Sequence, residues 1–401
     1  MASPRIGIWF IGAFGSVAST AALGLAALQR GLAGCTGLVT ALPEFAELPL
    51  PEAAEFTVGG HDIRAGRMED ALWELHARAN VLRPELIKGC AETLAAWDRN
   101  VRPGTTYRCG AAIEALANRD DLKRSERPLD LVEQIAADIV AFRTAEALEH
   151  VVVVNLASTE PPVPDGALPQ RWEELEAQLQ AGRLVLPASC LYAIAAVLTD
   201  SSYINFTPSA GLSLPALRAL ADRKGTLYAG QDGKTGETLV KTVLAPMFRH
   251  RNLRVLSWVG HNIFGNRDGL VLDDPRHKAS KVRTKDRVLS EILGYSPQSL
   301  VTIEYIESLA DWKTAWDHIH FEGFLGTKMV LQFVWQGCDS LLAAPLVLDL
   351  VRLVAFEWRR GGAGLQRHLA SFFKNPIGVQ TKDFFEQWRL LMEYVKQAAR
   401  R

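Results

Sequence analysis

Residues 6–20 read Ile6-Gly7-Ile8-Trp9-Phe10-Ile11-Gly12-Ala13-Phe14-Gly15-Ser16-Val17-Ala18-Ser19-Thr20. The first six are an unbroken apolar run, as expected of a parallel strand buried on both faces. Two glycines then permit a tight turn, and the alanine-rich stretch over 17–31 predicts a helix. Strand, glycine turn and helix together predict a dinucleotide-binding unit. The helix N-terminus offers unpaired N–H groups and a positive dipole end to a pyrophosphate. Gly12, Phe14, Gly15, Ser16 and Val17 are the candidate cofactor contacts. The spacing is GxxG rather than GxGxxG, with Ala18 where a third small residue packs.

The pattern repeats along the chain. His150-Val151-Val152-Val153-Val154-Asn155 is a second buried-strand run, ending in the polar burst Ser158-Thr159-Glu160 before two prolines. In open α/β sheets the ligand crevice lies at the carboxyl ends of the strands, so Asn155, Ser158 and Thr159 are candidates for the cofactor. Glu160 is either part of that burst or turn punctuation. Residues 68–90 and 129–149 carry helical periodicity, and 169–183, 186–199 and 213–222 read as helices. Residues 202–209 read as a short strand and turn, and 226–229 as a further strand. Gly230-Gln231-Asp232-Gly233-Lys234-Thr235-Gly236-Glu237-Thr238 closes that strand and opens a helix to about 249. A lysine, two hydroxyls and glycines at a helix N-terminus form an anion-binding design. The GxxxxGK[ST] spacing of a nucleotide P-loop is absent. Residues 40–66, with Pro43, Pro49 and Pro51, read as an irregular excursion. Within it, Asp62 either accepts from a ribose hydroxyl or caps a helix starting near Met68.

Composition narrows the partners. The chain has 401 residues with 44 Lys+Arg and 45 Asp+Glu, a formal charge of −1. That balance gives no electrostatic argument for a nucleic-acid or anionic-membrane partner, and neither is expected. Cys35, Cys90, Cys109, Cys190 and Cys338 are scattered without a CxxC pair, which fits a reducing cytoplasm and gives no zinc signature. No His/Asp/Glu cluster marks a metal site. The N-terminus lacks a signal-peptide layout, and no apolar run reaches the ~18 residues of a membrane span.

Residues 255–285 read VLSWVGHNIFGNRDGLVLDDPRHKASKVRTK. A strand-like run (Val255, Leu256, Trp258, Val259) gives way to a polar loop, His261 to Gly269, whose Asn, Asp and Gly residues suit a sharp turn near a ligand. Lys278, Lys281 and Lys285 share one face if the segment is helical. Such a face is either a solvated surface or the site of an anion. Residues 300–306 and 330–335 alternate as strands, and an apolar helix runs from 337 to about 359.

The block His261-Asn262-Ile263-Phe264-Gly265-Asn266-Arg267-Asp268-Gly269, with Ser280-Lys281 following, resembles a segment of the myo-inositol-1-phosphate synthase family. Ordered blocks at 202–209, 230–238, 311–317 and 323–345, and Lys374-Asn375-Pro376, are similar to further segments of it. Gly59-Gly60-His61-Asp62-Ile63 resembles its G-W-D-I segment, with His61 in the tryptophan place. The resemblance implies an α/β fold: an NAD-binding Rossmann-like domain over 1–238 plus 339–401, and an inserted α+β catalytic and tetramerisation domain over 239–338. It implies NAD as cofactor, a homotetramer, and conversion of glucose 6-phosphate to inositol 1-phosphate through oxidation, enolisation, aldol ring closure and reduction.

Carried over block by block, the resemblance assigns Lys285 and Lys313 to proton transfer at the carbinol. Lys281 and Lys374 stabilise the enolate and alkoxide, and Asp339 orients a lysine. Asp232, Asn266, Asp268 and Ser340 join the cofactor set, with Asn266 and Asp268 bridging to substrate. Lys234, Thr235, Gly236, Glu237, Thr238 and Asn262 are assigned to the substrate. Lys278 has no counterpart. Gln231 and Glu237 stand where the family has an aspartate and a glutamine. A carboxylate near a phosphate raises a second expectation, a paralogue that cyclises another sugar phosphate, such as fructose 6-phosphate, to a five-membered ring. A simple NAD-dependent dehydrogenase and a non-catalytic sugar-phosphate sensor are the more distant alternatives.

Overall fold

The computed structural model describes residues 5–163, 168–184, 186–266, 269 and 288–400. Six parallel strands form the main sheet: β1 (Ile6–Ile11), β2 (Phe56–Asp62), β3 (Val101–Pro103), β4 (His150–Asn155), β5 (Ser202–Asn205) and β6 (Tyr228–Gly230). Their order is β3-β2-β1-β4-β5-β6. The order reverses at β1/β4, and the carboxyl ends of those strands open a crevice.

Helices cover both faces of this sheet: α1 (Ser16–Gln29), α2 (Met68–Ala79), α3 (Pro84–Asp98), α4 (Ala111–Glu114), α5 (Pro128–Ala145), α6 (Trp172–Gln180), α7 (Ala188–Leu198) and α8 (Pro215–Lys224). Three more follow: α9 (Gly236–His250), α10 (Asp339–Arg359) and α11 (Phe384–Ala399). Alternate strand residues serve the two layers, as the period-2 pleat requires. Ile8, Phe10, Val152 and Val154 pack with α1, α3 and α10. Trp9, Ile11, Val151 and Val153 pack with α5 and α7.

The excursion expected over 40–66 holds a central strand. β2 pairs with β1 from Ile6↔Phe56 to Ile11↔His61, and all seven of its residues are buried. Gly59 and Gly60 weaken its strand pattern, and close packing explains them. A Cβ on Gly60 would lie 2.3 Å from the Phe10 carbonyl oxygen, and one on Gly59 would lie 2.9 Å from the Trp9 ring. Asp62 ends this strand and does not cap α2, whose N-cap is Arg67.

A second sheet has the order β10-β9-β7-β8, built from β7 (Arg254–Phe264), β8 (Gln298–Tyr305), β9 (Trp312–Glu322) and β10 (Lys328–Cys338). β7 runs parallel to β8 and antiparallel to β9, and β9 pairs antiparallel with β10. Residues His261 to Phe264, expected to open a polar loop, continue β7 between its two neighbours. One face packs Val255, Trp258 and Ile319 against Ala245 and Phe248 of α9 and Leu289 and Ile292. Trp312 Nε1 donates to the Ala79 carbonyl at 2.8 Å and ties this sheet to α2. Among the described residues, no helix is long and apolar enough to cross a membrane.

Candidate active site

The carboxyl ends of β1, β2, β4, β5 and β6 line a cavity of about 250 Å³. Its floor is the glycine turn. Gly12 has φ +84°, and its N–H donates to the His61 carbonyl at 2.8 Å. A Cβ on Gly12 would sit 3.1 Å from Ala157 Cα, so only glycine leaves this cradle open. The N-terminus of α1 has no side-chain cap, which leaves its N–H groups to the cavity.

Asp62 closes the β2 side. Its Oδ2 accepts from Phe14 N at 2.7 Å and its Oδ1 from Arg64 N at 2.8 Å. Burial pushes its carboxyl up, opposed by the nearby Arg64 charge and these hydrogen bonds. Next to it, Trp9 Nε1 donates to His61 Nδ1 at 2.9 Å, which makes His61 Nε2 the protonated nitrogen. That nitrogen donates to Asp138 Oδ2 at 2.9 Å, and Lys123 Nζ lies 2.6 Å from the same oxygen. Burial lowers the His61 pKa, so the imidazole is held neutral in the Trp place of the resembling segment.

At the β4 end, Asn155 Nδ2 donates to Thr207 Oγ1 at 3.3 Å, and Ser158, Thr159 and Glu160 line the wall. Glu160 accepts from Ser189 N at 2.9 Å and from Ser189 Oγ, at the start of α7. Burial nevertheless raises it to about 7. It is therefore neither punctuation nor surface.

Two lysine–carboxylate pairs stand on the far side. Lys374 Nζ lies 2.8 Å from Asp232 Oδ1, at the end of β6. Lys313 Nζ lies 3.7 Å from Asp339 Oδ2 and 5.1 Å above the Phe264 ring. Asp311 fixes the second pair: it accepts from Ser340 N at 2.9 Å, from Ser340 Oγ at 2.8 Å and from Cys338 Sγ at 2.7 Å. It thereby caps α10 from outside, and Asp339 is the first residue of that helix.

The structure brings together on the cavity wall Gly12, Gly15, Ser16, Val17, Asp62, Asn155, Ser158, Thr159, Asp232, Thr235, Asn266, Asp339, Ser340 and Lys374. Phe14 contributes its backbone behind the wall, with its side chain buried. Lys281, Lys285 and Asp268, assigned by resemblance, lie outside the described residues.

Several substrate candidates sit away from the wall. Lys234 turns inward: its Nζ donates to Gln387 Oε1 and lies 5.6 Å over the Phe384 ring, and burial lowers it to about 7. Glu237 is buried and pairs with Lys241 Nζ at 2.5 Å, and Lys241 lies 3.8 Å from Asp317. Asn262 is fully buried in β7, and Gly236 and Thr238 are buried in the first turn of α9. The i,i+4 Glu–Lys spacing on one helix permits this pair but does not by itself turn it inward. His61, Arg64, Ser189 and Asp311 also meet the cavity and were not among the candidates. Only their neighbours in three dimensions distinguish them.

A parallel sheet in this order, with an open glycine cradle and an acid ending β2, defines a dinucleotide-binding α/β protein. The family model described as myo-inositol-1-phosphate synthase matches residues 6–396, and the chain belongs to that family. Inositol-3-phosphate synthase 1 of Bacteroides thetaiotaomicron is 32% identical, with 98% of this chain and 96% of that protein aligned. Inositol-3-phosphate synthase of Trypanosoma brucei brucei is 30% identical over 79% of this chain and 61% of its own length. The structure of inositol-3-phosphate synthase from Caenorhabditis elegans superposes with a TM-score of 0.89 at 25% identity, covering 99% of this chain and 86% of that one. Membership makes the chain an NAD-dependent enzyme of the intramolecular cyclase type. The Gly12 cradle, the uncapped α1 terminus and Asp62 fit NAD.

Proposed function

We propose that this chain converts glucose 6-phosphate to 1L-myo-inositol 1-phosphate. The observation that carries the reading is the pair of lysine–carboxylate contacts, Lys374–Asp232 and Lys313–Asp339. When bound, NAD supplies the acceptor and then the donor of one hydride at the sugar's C5. The other demands fall on side chains. Each stage gathers negative charge on a substrate oxygen, and fixed cations at that oxygen are a large lever. Lys374 and Lys313 supply two such cations, each oriented by a carboxylate. Lys313 and Lys285 are assigned the carbinol proton, and Lys281 and Lys374 the enolate and alkoxide. Thr235, the N-cap of α9, is assigned to the phosphate.

The motive for a different sugar is weakened, because Glu237 spends its charge on Lys241 behind the cavity wall. We assign 1–238 with 339–401 to NAD and 239–338 to catalysis and assembly. We further propose a homotetramer in the cytoplasm; self-association, though not the subunit number or the location, is supported by an apolar rim on the second sheet. Val334 of edge strand β10 is 66% exposed, and Phe324 and Leu325 at the adjoining turn are 87% and 86% exposed. An edge strand unpaired among the described residues, with an apolar patch beside it, calls for a partner. Incubation of the pure protein with NAD and either glucose 6-phosphate or fructose 6-phosphate, with products identified by NMR, tests the reaction. An inositol phosphate from the first sugar supports it, and a five-membered carbocycle from the second replaces it.

A further inference from the structure

The backbone around Lys374 is laced to the turn that closes β6. Gln231 N donates to the Asn375 carbonyl at 3.0 Å, and Asn375 N to the Gln231 carbonyl at 3.1 Å. Lys374 N donates to the Asp232 carbonyl at 2.7 Å, Lys234 N to the Phe372 carbonyl at 2.8 Å and Ile377 N to the Gly230 carbonyl at 2.8 Å. A shift of residues 230–234 therefore carries Lys374 with it. The turn needs support of its own. Asp232 has φ +66°, a conformation that a non-glycine residue keeps only where its surroundings impose it.

That support stands behind the cavity, on α11. Lys234 Nζ donates to Gln387 Oε1, and Gln387 Nε2 donates onward to the Thr381 carbonyl at 2.6 Å. Gln387 is fully buried and Lys234 nearly so. Among the described residues, the Gln387 amide oxygen is the one hydrogen-bond acceptor of that ammonium. A buried charge without an acceptor is costly, so this contact pins the Lys234 side chain. Its other end is fixed as well: Asp383 Oδ1 caps α11 by accepting from Phe385 N at 2.8 Å and Glu386 N at 3.3 Å. We propose that Gln387 is a positioning residue for the reaction: through Lys234 it braces the 230–234 turn, and through the turn it sets where the Lys374 ammonium stands on the cavity wall. The inference rests on the reading that Lys374 acts on substrate oxygens, and adds what holds it in place. A misplacement of about 1 Å at a reacting group costs about 10²-fold in rate.

Two measurements on the full chain test it: kcat with NAD and glucose 6-phosphate, and amide hydrogen exchange over residues 370–378 without ligand. Gln387→Leu and Lys234→Met break the brace from its two ends. Each should lower kcat by about ten- to a hundredfold. Each should also speed exchange at Lys374 and Asn375 while β1 and β4 keep their protection. In a Lys374→Met background neither should lower kcat further, because the group they position is gone. Lys234→Met strands no ammonium, so it carries the test if Gln387→Leu does not fold. Losses in kcat that multiply with that of Lys374→Met, unchanged exchange over 370–378, or a general loss of protection overturns the proposal. A slow Lys374→Met beside a normal Gln387→Leu overturns the proposal alone. A wild type without turnover, or a Lys374→Met as fast as wild type, overturns the reading of Lys374 and the proposal with it.

Discussion

Lys374 and Asp232 are joined twice: Nζ reaches Oδ1 at 2.8 Å, and the Lys374 N–H donates to the Asp232 carbonyl at 2.7 Å. The contact seals the C-terminal segment onto the end of β6 and fixes an ammonium on the cavity wall. Lys374→Met should therefore reduce kcat by about 10²–10³, the usual cost of removing one oxyanion donor. NAD binding should persist in the variant. Turnover near the wild-type rate would return Lys374 to a purely structural ion pair.

Glu237, Lys241 and Asp317 make the opposite case, a charged group built for the fold. Lys241 is the cation between two carboxylates, and all three are buried. Lys241→Met should cost about 3–5 kcal/mol in urea unfolding, since it strands buried carboxylates. Glu237→Gln leaves Asp317 to pair with Lys241 and should cost less than half as much, with KM for glucose 6-phosphate unchanged. A large rise in KM with stability intact would put Glu237 back on the substrate.

Glu160 gives a pH signature. An ordinary glutamate's 4.5 becomes about 7 in the folded chain, chiefly through burial. The folded state thus keeps a proton that the unfolded state has released. Glu160's share of stability is complete below about pH 4.5 and is lost as pH rises to about 7. Glu160→Gln keeps the shape without the proton. The stability difference between wild type and variant, followed by denaturant unfolding, should change over that window and stay flat above it. A difference constant from pH 4 to about 8 would contradict the burial argument.

Assembly is tested at Val334. A charge there should disrupt packing on the exposed face of β10. Light scattering should report a tetramer for wild type and a smaller species for Val334→Glu. A wild-type monomer at micromolar concentration would remove the assembly proposal.

Some of this was legible in the chain and some was not, for physical reasons. β1 and β4 are continuous apolar runs, and their burial on both faces leaves no other reading. β2 was hidden because Gly59 and Gly60 carry no apolar signal; their role is the space they leave for Trp9, Phe142 and the Phe10 carbonyl. His261 and Asn262 look like loop residues, yet they lie in a strand hydrogen-bonded on both sides. The wall residues at strand ends could be listed from sequence, because a parallel sheet puts its ligands there. Lys234 and Glu237 could not be sorted from Thr235, since residues flanking a helix N-cap point their side chains in several directions. Only α11 and β9, distant in sequence, show which of them turn inward.

In the proposed reaction NAD is reduced and restored within one catalytic cycle. The most direct measurement supplies glucose 6-phosphate with NAD at a few per cent of its concentration, following product by NMR and NADH by absorbance. Many molecules of inositol phosphate per NAD, and no accumulating NADH, are expected. Product limited to one per NAD, with NADH rising in step, would contradict it and make the chain a dehydrogenase.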